Sequence, residues 1–168
     1  GAPLLESGIT LIDNGRLYYR GHDAILLPDS HTFADVAHLI WGDELANDTQ
    51  FEVDTAVQWH VVQQLWPLIA ELSPVERFQA VLPLAAAHDL AGYDLQATAV
   101  SQTGQRIVSL LAMAATGQPI SGSMAAALQR VWLAEDTAVI PLLEAALIYC
   151  ADHELNVSSF TARVVASS

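Results

Sequence analysis

The chain reads Cys150-Ala151-Asp152-His153-Glu154-Leu155-Asn156-Val157-Ser158-Ser159-Phe160-Thr161-Ala162-Arg163 near its C-terminus, and this is its most informative stretch. Apolar runs flank it, from Val139 to Tyr149 before it and from Val164 to Ala166 after it. Burying Asp, His, Glu and Asn costs free energy unless each polar group finds a partner. Natural proteins tend to keep such conflicts between an apolar pattern and polar side chains at functional sites. The stretch is therefore our candidate functional site.

His153 has two interpretations. A histidine among apolar residues most often holds a backbone carbonyl in the core, and the residue type alone favours this reading. Alternatively, its imidazole and the amide of Asn156 are donors that can hold a carboxylate or a developing alkoxide at a helix end.

A metal site is not predicted. Metal ligands on a helix stand at i, i+3 or i+4, and Cys150 with His153 forms such a pair in this stretch, which is too few for zinc. Asp152 and Glu154 are direct neighbours of His153, so on a helix their side chains diverge from it by about 100° each. We expect these two carboxylates to orient His153 or to cap a helix.

Composition indicates one globular domain. The 168 residues suffice for a sizeable core, and 52% of them are hydrophobic. Neither an apolar run of membrane-spanning length nor a secretory signal is visible, so a soluble protein is predicted. The sequence does not begin with Met, and we expect that an N-terminal piece or tag has been removed. Cys150 is the only cysteine, which excludes internal disulfides and favours the cytoplasm.

The charge is strongly negative. Six arginines, no lysine and nineteen acids give a net charge of −13. This field would repel a phosphate backbone, so nucleic-acid binding by this segment is not expected. A site for anionic substrates needs several cations. Either the arginines are concentrated at one place, or the cationic half of such a site lies elsewhere.

The residues from Ile9 to Tyr19 predict a β-hairpin. Apolar or aromatic residues occupy alternate positions on both sides of Asp13-Asn14-Gly15, which is typical turn chemistry. Arg20 is expected to form a salt bridge at the strand end. The remaining histidines show no spacing typical of a site and are interpreted as hairpin, loop or helix-surface residues: His22, His31, His38, His60 and His88.

From residue 23 onward the patterns predict helices. Their starts carry capping signals: Thr32 with Asp35, Thr49 with Glu52, Ser73 with Glu76, and Ser123. The helix after Ser73 is apolar around most of its circumference, which predicts burial among other helices. Gly104, in a helix from about Ala97 to Ala115, costs roughly 1 kcal/mol relative to Ala and predicts the close approach of a neighbouring helix. The chain is thus predicted to be one all-α unit with a small hairpin.

Two segments resemble the citrate synthase family. The residues from Ala151 to Phe160 are similar to its Ala-Asp-His-Glu-Leu-Asn-Ala-Ser-Thr-Phe type segment. The residues from Ser7 to His22 are similar to its opening hairpin, which ends in Arg-Gly-Tyr or Arg-Gly-His. Cys150 departs from the family, in which many members place another His there. The resemblance implies an all-α, multihelical large-domain fold with a small N-terminal β-hairpin, of which residues 1–168 form the N-terminal part.

The resemblance also implies a function. Citrate synthases are acyltransferases that condense acetyl-CoA, or a close acyl-CoA, with oxaloacetate through an enolate. His153 would then be a catalytic and substrate-binding residue that polarises the keto group, with Asn156 as a second substrate-binding residue. An acyl-CoA would be the co-substrate, without a resident cofactor or metal, in a cytoplasmic homodimer that contacts neither nucleic acid nor membrane.

The family's Gly-Pro-Leu-His-Gly-Gly type segment, its second catalytic His and its Asp base come later than this chain extends. Two hypotheses follow. The chain is the N-terminal part of a citrate-synthase-like enzyme, lacks the C-terminal catalytic section and is inactive alone. Alternatively, it is a catalytically silent helical module that serves dimerisation or interaction.

Overall fold

The computed structural model describes residues 7–42, 44–153 and 157–166. The described part of the chain begins with a three-stranded antiparallel sheet, and helices make up most of its remainder. The strands are β1 (Thr10–Asp13), β2 (Arg16–Tyr19) and β3 (His22–Asp23). The α-helices are α1 (Phe33–Gly42), α2 (Ala56–Ile69), α3 (Pro74–His88), α4 (Ala97–Thr116), α5 (Met124–Trp132), α6 (Ile140–Tyr149) and α7 (Val157–Ala166). Short 3-10 helices lie at Leu27–Asp29, Leu90–Tyr93 and Thr137–Val139. The predicted all-α fold with a small hairpin is confirmed.

Two tight turns build the sheet. Asn14 and Gly15 connect β1 to β2 with φ values of 48° and 75°, as a type I′ hairpin requires. Arg20 and Gly21 repeat this geometry between β2 and β3, with φ values of 46° and 88°. The predicted hairpin is confirmed, and the second turn adds a short third strand. Arg20 also donates from Nε and Nη2 to the carbonyl of Ile40, at 3.2 and 2.8 Å, and so binds the end of α1.

Helix α4 is central because it packs against α1, α2, α3 and α5. Its Gly104 faces Trp41 of α1, and a Cβ at this glycine would lie 2.7 Å from two atoms of the indole ring. The close approach predicted from Gly104 is therefore confirmed. At its C-terminus, Gly117 takes a left-handed conformation (φ 67°) against the ring of Trp66. The guanidinium of Arg77 lies 5.0 Å from that ring and donates to carbonyls at the ends of α2 and α4.

Among the described residues, two apolar clusters form the core. The first joins α2, α3 and α4 through Val61, Val62, Ile69, Val81, Ala85, Leu110, Met113 and Ala114. The second joins the sheet, α1 and α6 through Tyr19, Ala24, Leu27, Val36, Leu39 and Ile148. The second cluster is the one that positions the candidate site.

Three of the predicted helix starts are confirmed. The side chains of Thr32 and Asp35 cap α1 reciprocally. Ser73 and Glu76 form the predicted capping box of α3, and the hydroxyl of Ser123 accepts the amide N–H of Ala126 at the start of α5.

The cap predicted at Thr49 with Glu52 is wrong, because α2 begins only at Ala56. The amide N–H of Thr49 donates to Oδ1 of Asp35 at 2.8 Å, and that of Glu52 donates to Oε1 of Gln105 at 3.1 Å. Side chains of α1 and α4 thus hold this segment outside a helix.

The predicted burial of α3 on most sides is also wrong. Only Val81 and Ala85 are buried, whereas Leu84 is 45% exposed. The helix packs on α2 and α4, and its remaining surface is open to solvent.

Candidate functional site

The candidate site follows directly on the C-terminus of α6. The helix ends at Tyr149, and the amide of Cys150 donates to the carbonyls of Ala146 and Ile148. The amide of Ala151 donates to the carbonyl of Ile148 at 3.1 Å and closes the last turn. The polar segment that begins at Asp152 therefore leaves the helix in a defined direction.

Tyr19 of β2 binds the backbone at the point where the chain leaves α6. Its side chain is fully buried, and its hydroxyl lies 2.9 Å from the carbonyl oxygen of Ile148, 3.2 Å from that of Tyr149 and 3.1 Å from that of Asp152. One phenolic hydrogen is thus shared among three carbonyls on both sides of the helix end. Burial raises the pKa of Tyr19 above its ordinary value, and the nearby carboxylate of Asp152 acts in the same direction. The hydroxyl is therefore a neutral donor at physiological pH.

Asp152 is the second link between the sheet and the candidate segment. Its Oδ2 accepts a hydrogen bond from the hydroxyl of Thr10, a buried residue of β1. We predicted that Asp152 orients His153 or caps a helix. The carboxylate contacts Thr10 of the sheet, and this contact holds the backbone next to His153. Its role in orienting His153 stays a prediction.

His153 is exposed at the end of this anchored segment. Asn156, the second predicted substrate-binding residue, and Glu154 lie outside the described residues. Helix α7 begins immediately afterwards, at Val157. The catalytic role of His153 and its pairing with Asn156 stay predictions.

The arginines are distributed over separate elements. Arg16 forms a salt bridge with Asp23 at 3.2 Å, Arg106 forms one with Asp89 at 2.7 Å, and Arg130 donates to the carbonyl of Ser121 at 2.7 Å. Arg20 and Arg77 bind the backbone carbonyls described above. The negative charge left two alternatives for an anion site: arginines concentrated at one place, or a cationic half that lies elsewhere. This distribution favours the second alternative.

Metal ligands do not gather in the part of the chain that the structure describes, where no group of three or more His, Cys, Asp or Glu could hold an ion. Cys150 is an exposed free thiol. In the same described ranges, no helix is both long and apolar enough to span a membrane.

Sequence reasoning missed two features. Tyr19 has the pattern of an alternating strand residue, and no local signal indicates a partner more than a hundred residues away. The sequence pattern predicts that His38 is a hairpin, loop or helix-surface residue. Its Nε2 is buried without a hydrogen-bond partner among the described atoms, and its ring lies 6.4 Å from that of Phe51.

Comparison with known proteins agrees with this architecture. The model of the family described as "Citrate synthase, C-terminal domain" matches residues 1–168. The crystal structure of citrate synthase from Thermotoga maritima MSB8 is similar with a TM-score of 0.67 and 22% sequence identity. The match covers 99% of this chain and 49% of that structure, so the chain spans about half the length of the protein that it resembles. No curated protein sequence gives a significant match.

Proposed function

Because the chain belongs to the citrate synthase family, we propose that it forms part of an acyltransferase that condenses an acyl-CoA with oxaloacetate. The observation that carries the proposal is the arrangement around His153. An exposed imidazole follows a segment that Tyr19 and Thr10 hold to the sheet. Acetyl-CoA or a close analogue would be the co-substrate, without a resident cofactor, in the cytoplasm.

His153 is proposed to polarise the keto group of oxaloacetate. Its imidazole would donate a hydrogen bond to the carbonyl oxygen, where negative charge develops as the carbon is attacked, and Asn156 would contact the same substrate. Donors fixed before the reaction stabilise such charge without reorganisation during the step. The hydrogen bonds of Tyr19 would contribute by holding the backbone next to the imidazole.

The substrate's carboxylates need cations that this chain does not offer freely. Its net charge is −13, and the arginines with described side chains engage carboxylates or carbonyls. A Gly-Pro-x-His-Gly segment is absent from the 168 residues. We therefore propose that arginines, the second His and the Asp base come from the half of the enzyme that these residues do not include. Residues 1–168 alone would then not catalyse condensation.

The test is CoA release from acetyl-CoA and oxaloacetate by the full-length protein. His153→Ala should slow condensation by about 10²-fold or more, because general acid–base or oxyanion donors contribute on this scale. His60→Ala is the matched control, since His60 is an exposed histidine of α2. Equal rates for both variants would refute the role of His153. Condensation activity of residues 1–168 alone would refute the proposal that the other half of the enzyme supplies part of the active site.

A second candidate function, a helical module for dimerisation, is favoured by the exposed apolar residues near the site. On α6 and α7 these are Leu142, Tyr149, Val157, Phe160, Val164 and Val165. Monomers rarely leave such a surface uncovered, so we propose that it binds a second copy of the chain.

Light scattering should show a dimer that Val165→Glu weakens and Val75→Glu, at an exposed position of α3, does not. A stable monomer at tens of micromolar would contradict the dimer. A dimer without condensation activity in the full-length protein would favour the silent module over the enzyme.

A further inference from the structure

Thr10 and Tyr19 lie directly opposite each other on β1 and β2. Opposed residues of an antiparallel pair place their side chains on the same face of the sheet, with Cβ atoms about 5 Å apart. Thr10 is 3% exposed, and Tyr19 is fully buried. Two hydroxyl donors therefore stand side by side on one buried face of the hairpin.

Both hydroxyls bind the same residue, Asp152. Oγ1 of Thr10 donates to Oδ2 of its carboxylate, and the phenolic oxygen of Tyr19 lies 3.1 Å from its backbone carbonyl oxygen. Asp152 is thus held at two points, one on its side chain and one on its backbone. A hydrogen bond to a carboxylate is charge-assisted and about twice as strong as one between neutral groups. The bond from Thr10 is therefore the stronger of the two, because Tyr19 shares its hydrogen among three carbonyls.

The two bonds act together on the orientation of His153. The carbonyl of Asp152 and the Cα atom of His153 belong to one planar peptide unit, so the bond from Tyr19 orients the plane that carries His153. Rotation about the Cα–C bond of Asp152 connects this plane to the carboxylate side chain. Thr10 holds the side chain and thereby restricts that rotation. Without Thr10, the plane would depend on a single shared hydrogen bond.

We propose that Thr10 is a positioning residue for the condensation reaction, an inference that rests on the proposed function. Thr10 is too deeply buried to contact oxaloacetate, and it acts through Asp152 by fixing the direction of the His153 imidazole. A donor stabilises developing charge best when it is fixed before the reaction, and a misplacement of about 1 Å can cost about 10²-fold in rate. A hydroxyl of the first strand thus controls the rate of a step that it does not touch.

Two replacements in the full-length protein test this role. Thr10→Val removes the hydroxyl and keeps the β-branched shape that suits a strand, whereas Thr10→Ser keeps the hydroxyl. In Thr10→Val, kcat for condensation should fall about 10-fold, since the imidazole is misplaced by less than a full ångström. The KM for oxaloacetate should stay within about 2-fold of the wild type, because a donor to developing charge acts mainly on the transition state. Thr10→Ser should keep a kcat close to that of the wild type.

An Asp152→Ala background separates positioning from general destabilisation. Because Thr10 acts through the carboxylate, Thr10→Val should have no further effect on kcat once that carboxylate is removed. Asp35→Asn is the stability control, since this carboxylate accepts the amides of Thr32 and Thr49 and lies outside the contacts of Asp152. It should lower the free energy of unfolding and keep the wild-type kcat at temperatures well below unfolding.

Backbone order at His153 provides a readout that does not depend on activity. Selective ¹⁵N-histidine labelling simplifies the NMR spectrum, and the signal missing from His153→Ala identifies residue 153. Its amide order parameter should be about 0.85, as in rigid backbone, in the wild type and in Thr10→Ser, and should fall toward about 0.6 in Thr10→Val. The order parameter of His60, an exposed residue of α2, should not change.

The inference is overturned if Thr10→Val keeps the wild-type kcat, or if it lowers kcat equally with and without the carboxylate of Asp152. It also fails if Thr10→Ser is as slow as Thr10→Val, if KM rises while kcat is unchanged, or if the order parameter of His153 stays the same. A wild-type full-length protein without condensation activity would instead overturn the proposed function. The order parameter alone would then decide whether Thr10 fixes His153.

Discussion

The hydroxyl of Tyr19 donates to the backbone carbonyl of Ile148 at 2.9 Å, across 129 residues of sequence. The two residues belong to the same apolar cluster, so the hydrogen bond forms where water is excluded. In such surroundings an unpaired carbonyl costs free energy. The hydroxyl of Tyr19 supplies the missing hydrogen bond at the end of α6 that leads to His153. The small sheet thus fixes the C-terminal end of α6.

Tyr19→Phe removes this hydroxyl and keeps the ring. We expect the free energy of unfolding to fall by about 1–3 kcal/mol, because buried carbonyls lose their donor. The measurement is urea denaturation, in which the midpoint should fall at an unchanged slope. Tyr18→Phe, on the neighbouring half-buried tyrosine of β2, is the control and should stay within about 0.5 kcal/mol of the wild type. Equal midpoints for the two variants would contradict the role of Tyr19.

The raised pKa of Tyr19 predicts a loss of stability in alkali. Burial favours the neutral phenol in the folded state, so the folded pKa exceeds the unfolded value of about 10. The folded protein therefore binds more protons than the unfolded chain above that pH, and the free energy of unfolding must fall there as pH rises. Below about pH 10 this contribution is constant. Denaturation between pH 8 and 11 should show the fall in wild type and Tyr18→Phe, and a shallower fall in Tyr19→Phe.

The lowered pKa of Asp35 predicts a loss of stability in acid. Burial raises the pKa of this carboxyl, but hydrogen bonds from Thr49 and Thr32 outweigh burial and hold the pKa below its usual value. The contribution of Asp35 to stability is therefore present above the unfolded pKa, near 4, and is lost as pH falls through the folded pKa. Asp35→Asn should lower the free energy of unfolding at pH 7 by about 2–4 kcal/mol, since the carboxylate accepts two backbone amides. It should also flatten the loss of stability below pH 4.

The exposed Asp29 provides the control for that experiment. Asp29→Asn should keep the acid dependence of the wild type, because its carboxyl is not part of the cap. If Asp35→Asn loses stability in acid as steeply as Asp29→Asn does, the cap is not the origin of the dependence.

Features that depend on neighbouring residues could be predicted from the sequence. Asn14-Gly15 fixes a turn through its own backbone preferences, and Ser73 with Glu76 completes a cap within one helical turn. Gly104 could be interpreted because a glycine inside a helix has a cost that packing must offset. In each case the cause lies within a few residues of the effect.

The missed features depend on distant partners. Thr49 carries a capping signal, yet Asp35 of another helix binds its amide and keeps it out of α2. Tyr19 has the pattern of an ordinary strand residue, and only the fold brings Ile148 to its hydroxyl. His153 could be singled out because its sequence neighbours resemble a family segment, but the hydrogen bonds that hold that segment come from the opposite end of the chain.

Gly104→Ala tests the contact between α4 and α1. Alanine favours the helix by about 1 kcal/mol, but its Cβ would lie 2.7 Å from atoms of Trp41, which is closer than real contacts allow. Overpacking of this kind costs about 1–3 kcal/mol, so we expect a net loss in the free energy of unfolding. Gly42→Ala is the control, since nothing lies within 4 Å of a Cβ at that position. In a Trp41→Leu background the clash is removed, and Gly104→Ala should become neutral or stabilising by up to about 1 kcal/mol. A double-mutant cycle from urea denaturation measures this change of sign. If Gly104→Ala is equally destabilising with and without the indole, the glycine is required for a reason other than Trp41.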